Sequence, residues 1–163
     1  GSEMCIRDRT IHERTARYIR RGYDLPVFET AVSELRRRGI DVIVHTILCL
    51  PGETKPDMLQ TIQYLNRQDI QGIKLQLLHI LKDTDLAEIY ASDPFPVPDP
   101  QEYYELLGSC ISHLRPDIVI HRLTGDGPKE LLTAPLWTCN KRQVLNQLQS
   151  YFKTHDIWQG KEY

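Results

Sequence analysis

The sequence predicts an α/β fold built on a parallel sheet, and three observations carry that reading. Residues 41–48 (DVIVHTIL) are a β-branched apolar run of strand length, cut off at Pro51-Gly52 and followed by a polar helix start at Thr54 with Asp57 three positions on. Residues 73–80 (IKLQLLHI) form a second such run after Gly72. Around these strands, apolar residues recur at helical spacing, in the helix–strand–helix–strand order of parallel strands joined by crossover helices.

Taken in order, residues 11–20 predict a short helix with Ile11, Thr15, Tyr18 and Ile19 inward, stopped by Gly22. Asp24 caps a second helix with Pro26 in its first turn and Phe28, Val32 and Leu35 on one face; Gly39 ends it. A helix over 56–66 turns Met58, Ile62 and Leu65 inward. Residues 93–100 (DPFPVPDP) are an extended connector. Asp99, Pro100 and Glu102 then open a helix carrying Tyr103, Leu106, Leu107, Cys110, Ile111 and Leu114 inward. A third strand is expected over 117–121, a tight loop over 125–128, and a helical turn over 129–132. Asn140 caps a last helix bearing Val144, Leu145, Leu148, Tyr151 and Phe152, and residues 155–163 are expected to be loose.

Residues 1–9 (GSEMCIRDR) show no periodicity and read as a non-native, adapter-derived segment, so structure is expected from Thr10. The organisation is then 10–92 as the C-terminal half of a barrel and 93–163 as a mixed helical C-terminal extension. Three strands cannot close a barrel, so the upstream strand edge is expected to be unpaired and prone to aggregation.

The chain has 163 residues and a net charge of −2, which argues against a surface that coats nucleic acid. No apolar run has membrane-spanning length and no signal peptide is visible. The four cysteines, Cys5, Cys49, Cys110 and Cys139, have no zinc-ligand spacing and read as free thiols in a reducing cytoplasm. No metal site is expected from them.

Three polar clusters fall where a parallel sheet puts its ligands, at the strand carboxyl ends. The first is His45 with Glu53; a hydrogen-bonded core histidine and a helix-start carboxylate are the plainer alternative. The second is Gln76, His79 and Lys82, of which only part can face one pocket. The third runs from His121 through Arg122, Gly125, Asp126 and Gly127 to Lys129, a glycine-flanked loop able to present backbone N–H groups and cations to an anion. Its plainer reading is a turn capped by Asp126. No catalytic triad is legible, and nothing near Cys49 lowers its pKa.

The stretches TIHERT (10–15), RGYD (21–24), HTILCLPGET (45–54), DIQGIK (69–74) and HRLTGDGP (121–128) together resemble radical SAM enzymes. The nearest group is the YhcC-type subfamily, with Elongator-type domains and oxygen-independent coproporphyrinogen oxidase further off. The resemblance implies the C-terminal part of a partial (β/α)6, TIM-like barrel. It implies S-adenosylmethionine on a 4Fe-4S iron–sulfur cluster, with reductive cleavage starting radical chemistry on an unknown substrate, and an electron-donor protein as partner. It also implies that Arg21 contacts the amino-acid or ribose portion of S-adenosylmethionine, that His45 lies near the ribose, and that Leu78 lines adenine. His121, Arg122, Asp126 and Lys129 fall in a subfamily segment taken as a candidate substrate site. Two departures stand out. The three cluster cysteines are absent, so this portion alone is not expected to be active. Cys49 stands where relatives carry glycine, and a side chain there would crowd the adenine pocket. A tRNA-binding relative using Arg14, Arg17 and Arg21, and a non-catalytic partner-binding module, are the alternatives.

Overall fold

The computed structural model describes residues 2–125 and 127–163. The elements run β1 (Glu3–Arg9), α1 (Glu13–Tyr18), α2 (Leu25–Arg37), β2 (Asp41–Leu48), α3 (Lys55–Asn66), β3 (Gly72–Leu77), β4 (Ile80–Leu81), α4 (Asp85–Ser92), α5 (Pro100–His113), β5 (Val119–Arg122), β6 (Leu132–Ala134) and α6 (Lys141–Thr154). A parallel sheet of order β1-β2-β3-β5 forms the body, and β4 pairs antiparallel with β6.

The pleat sorts the two faces of this sheet. Val42, Val44 and Leu48 of β2 and Ile73, Leu75 and Leu77 of β3 join one core with Phe28 of α2, Ile62 of α3 and Leu107 of α5. The opposite face carries Ile43, His45 and Ile47 from β2 and Gly72, Lys74 and Gln76 from β3, in register as Ile43↔Gly72, His45↔Lys74 and Ile47↔Gln76. His45, Ile47, Lys74 and Gln76 are half-exposed there. The result is a parallel sheet with an apolar face and a mixed polar face, the pattern of a barrel wall rather than of a sheet buried on both sides.

Local sequence accounts for the helix starts. Thr54 accepts from the Asp57 N–H while the Asp57 carboxylate accepts from the Thr54 N–H at 2.8 Å, a complete capping box. Asp99 and Glu102 do the same for α5. Asp24 stands at the N-cap of α2 but its side chain makes no capping bond. At the far end of α2, Arg36 bonds Asp41 at 2.9 Å and Asp69 at 3.2 Å, pinning the helix to the start of β2.

The structure departs from expectation in four places. Order begins before Thr10: residues 3–9 form β1, paired parallel with β2 from Glu3↔Asp41 to Arg9↔Thr46. The β2 edge is therefore paired, and the sheet has four strands rather than three. Pairing with a preformed neighbour makes this strand, which is why no local alternation announced it. The strand expected over 73–80 stops at Leu77; the Leu78 N–H still donates to Leu48 O at 3.0 Å, and the chain then enters β4. Residues 85–92, unassigned from sequence, form α4, capped by Thr84 accepting from the Ala87 N–H at 3.2 Å. The end of the chain is fastened: the Gln159 side-chain amide donates to Arg115 O at 2.8 Å and Ile118 O at 2.6 Å, and the Glu162 N–H donates to Ser112 O at 2.8 Å. Among the described residues no helix is long and apolar enough to cross a membrane.

Candidate functional site at the strand carboxyl ends

After β2 the chain turns sharply. Glu53 N–H donates to Leu50 O at 3.0 Å around Pro51 and Gly52, and Gly52 has φ 79°. Proline then glycine at positive φ is the requirement of a type II turn. The turn sets Leu50 beside Ile47, and with Leu78 after β3 and Ile19 after α1 they line a cavity of about 340 Å³. Arg9, at the end of β1, contributes to the wall, so three adjacent strands deliver residues to it from their carboxyl ends. An exposed ion pair, Arg20 to Asp85 at 2.6 Å, lies at its edge.

The residues singled out from sequence do not all gather here. Leu78 lines the cavity. His45 sits on the open sheet face with Nε2 hydrogen-bonded to Gln76 Oε1. Burial holds its imidazole below the ordinary pKa, and the cations of Arg122, Lys74 and Arg7 push the same way against the Gln76 bond. Arg21 points inward. Its guanidinium donates to Tyr23 O at 2.6 Å, Thr10 O at 2.5 Å and Glu13 at 2.7 Å, and lies 3.7 Å from buried Asp8. Arg14 and Arg17 stay exposed on α1, so the three arginines do not form one outward stripe.

Glu53 accepts a hydrogen bond from the Thr10 hydroxyl, and burial raises its pKa. Cys49 has φ 63°, a left-handed conformation that costs a side-chain-bearing residue and that glycine adopts freely. Burial pushes its thiol up to about 12, which removes it as a nucleophile.

The second and third polar clusters come together. The His79 imidazole occupies the space beside Gly125 and Gly127, where added Cβ atoms would stand 2.5 and 2.8 Å from the ring. The glycines are needed for close approach to His79. Asp126 lies outside the described residues. Lys129 is exposed at the start of a 3-10 turn. His121 lies over Gly72, where a Cβ would meet its Nε2 at 2.6 Å, and Arg122 pairs with Lys74 across the sheet. Lys82 donates its backbone N–H to Leu131 O at 2.6 Å, away from the open face.

Two residues escaped the sequence reading. Lys74 alternates with Gln76 in an apolar strand, a period-two signal that was available. Asp8 sits in the segment that had been set aside; it is fully buried and burial raises its carboxyl to about 7.

Comparison with known proteins settles the family. The Radical_SAM C-terminal domain matches residues 70–154. The chain belongs to the radical SAM family. The uncharacterized protein YtqA of Bacillus subtilis is 36% identical over 93% of this chain and 47% of its own length. Protein YhcC of Escherichia coli K12 is 30% identical over 91% of this chain and 48% of its own. The chain thus spans about half the length of the curated relatives it matches. The solved structure of archaeal Methanocaldococcus infernus Elp3 with an N-terminal deletion superposes with a TM-score of 0.83 over 98% of this chain and 37% of its own, at 13% identity. That likeness concerns the fold, and it agrees with the C-terminal part of a partial barrel.

Radical SAM membership implies a 4Fe-4S cluster, and the residues present here do not fit one. Cys5 is exposed, Cys110 is buried, and Cys49 and Cys139 are half-buried. Among the described residues no group of three His, Cys, Asp or Glu side chains could hold a metal ion.

Proposed function

We propose that this chain supplies the nucleoside-binding half of a radical SAM catalytic unit. The cavity bounded by Ile19, Ile47, Leu50 and Leu78 takes the adenosyl end of S-adenosylmethionine. The observation that carries the reading is the convergence of the carboxyl ends of β1, β2 and β3 on one largely apolar cavity of adenosine-compatible size, about 340 Å³. S-adenosylmethionine, when bound, supplies the radical chemistry. Leu78 and Ile47 give the flat purine an apolar wall, and the backbone beyond β3 is available to its polar edge. The Leu50–Glu53 turn fixes the rim. Arg21 acts from behind, holding Thr10, Glu13 and Tyr23 together, and so positions the segment between β1 and α2 rather than touching the cofactor.

Ligand-observed saturation-transfer NMR tests this without iron. Saturation of the protein is expected to reach the adenine protons of S-adenosylmethionine, and Leu78→Trp, which fills the cavity, is expected to abolish it. No transfer to the native chain would remove the cavity from the proposal.

A further inference from the structure

Along its whole length α4 buries no residue. Leu86 and Ile89 wall the cavity, together with Thr84 and Asp85 at the start of the helix. Positions 85, 86 and 89 share one face of a helix, so α4 turns a single side to the cavity. That side stays partly wet: Leu86 is half-exposed and Ile89 is 37% exposed. α3, by contrast, is rooted in the core through Met58, Thr61, Ile62 and Leu65.

The chain on either side of α4 is fastened. Upstream, Ile80 pairs with Ala134 and Leu81 with Leu132, and the Lys82 N–H donates to Leu131 O at 2.6 Å. Downstream, Trp137 Nε1 donates to Pro98 O at 3.0 Å, and Asp99 caps α5. Between these anchors the backbone leaves helical geometry at both ends of α4. Asp83 takes φ 60°, and Asp93 takes φ −141° and ψ 80° just before Pro94. Short stretches at element ends, flanked by fixed structure, are where hinges absorb a change of backbone angle. Tyr90 of α4 meets Phe95 of the connector edge-to-face with centroids 5.1 Å apart, so the helix carries the first part of the connector with it. At the cavity edge, α4 is tied to the turn after α1 by Arg20 and Asp85, 2.6 Å apart with side chains 77% and 64% exposed. A pair so exposed is screened by salt and weak, which is what a latch that must open requires.

We propose that α4 is a lid over the cavity, hinged at Asp83 and Asp93 and latched by the Arg20–Asp85 ion pair. Opening breaks the pair and moves Leu86 and Ile89 away from the wall formed by Ile19, Ile47, Leu50 and Leu78, which admits a flat apolar ligand. Closing over that ligand dries the Leu86 and Ile89 surface, so occupancy favours the closed state. That the ligand is the adenosyl end of S-adenosylmethionine rests on the proposed function; the opening of α4 does not.

Amide hydrogen exchange of the whole chain reads the opening, because exchange of a hydrogen-bonded amide scales with the population of the open form. The hydrogen-bonded amides of α4, from Glu88 on, are expected to exchange about tenfold faster or more than those of α3 and α5. Arg20→Gln leaves the sequence of α4 intact and is expected to speed its exchange about two- to fivefold, the range an exposed ion pair supports, while α3 and α5 hold. Fraying alone would not respond to a side chain outside the helix. Raising salt from about 50 to about 500 mM is expected to speed α4 exchange in the native chain and not in Arg20→Gln. Arg37→Gln, which removes the exposed pair with Glu34 on α2, is expected to leave α4 unchanged. Saturating S-adenosylmethionine is expected to slow α4 exchange in the native chain. The proposal is overturned by α4 exchanging as slowly as α5, by α4 exchange unaltered in Arg20→Gln, or by saturation transfer to S-adenosylmethionine with no slowing of α4. Latch-dependent exchange without any saturation transfer would remove the adenosyl ligand and leave the lid standing.

Discussion

The imidazole of His79 fills the space that a side chain on Gly125 would occupy: a Cβ added at that glycine would stand 2.5 Å from the ring. The loop after β5 is thereby clamped to the end of β3 by shape. Gly125→Ala is expected to cost about 1–3 kcal/mol through overpacking. His79→Ala combined with Gly125→Ala is expected to cost less than the sum of the two single changes, as the double-mutant cycle of denaturation free energies will read. Additive costs would mean that ring and glycine are not coupled.

Cys49 offers a different backbone test. At φ 63°, a β-branched residue is worse accommodated than glycine. The urea midpoint of Cys49→Val is expected to fall below that of Cys49→Gly by an amount equivalent to about 1–2 kcal/mol. The raised thiol pKa, about 12, also predicts slow labelling by a disulfide reagent near pH 8, with exposed Cys5 reacting first. Fast modification of Cys49 in a mass-mapped time course would contradict the buried thiol.

His45 makes stability depend on pH in one direction. Its folded pKa lies below the ordinary 6.5, so the unfolded chain binds the proton more readily. The contribution is complete above 6.5 and is lost as pH falls through the folded value. Denaturation of the native chain and of His45→Gln between about pH 7.5 and 5 should show the native chain losing more stability on acidification.

Asp8 acts with the opposite sign. Burial lifts its carboxyl from 3.8 to about 7, opposed by Arg21. Its two oxygens have no hydrogen-bond partner, so the charged form is poorly housed. The stability associated with the neutral acid is complete below 3.8 and is lost as pH rises through about 7. Asp8→Asn is expected to flatten that loss and to be the more stable chain at pH 8. An unchanged slope in the variant would show that Asp8 does not titrate in this window.

The parts of the fold governed by neighbours in sequence were legible beforehand. The capping pairs Thr54–Asp57 and Asp99–Glu102 are three residues apart, and the apolar faces of α3 and α5 repeat at helical spacing. β2 was legible because its β-branched run is long enough to be recognised alone. β1 and the fastened C-terminus were not, since each depends on a partner distant in sequence: Glu3 on Asp41, Gln159 on Arg115 and Ile118. The candidate site divided the same way. Leu78 was singled out only by the family resemblance and stands in the cavity wall, whereas the fate of Arg21 depended on Asp8, Thr10 and Glu13 closing around it. The register that sets Lys74 between His45 and Arg122 includes a one-residue irregularity that no local pattern announces.

The bonds from Gln159 to Arg115 and Ile118 also have a consequence for the chain as it is made. The segment entering β5 is secured by a residue synthesised some forty positions later, so the base of that strand stays unlatched while the intervening chain is still within the ribosome. A stalled ribosome, or a premature stop before Gln159, would leave β5 with its pairing to β3 but without this latch.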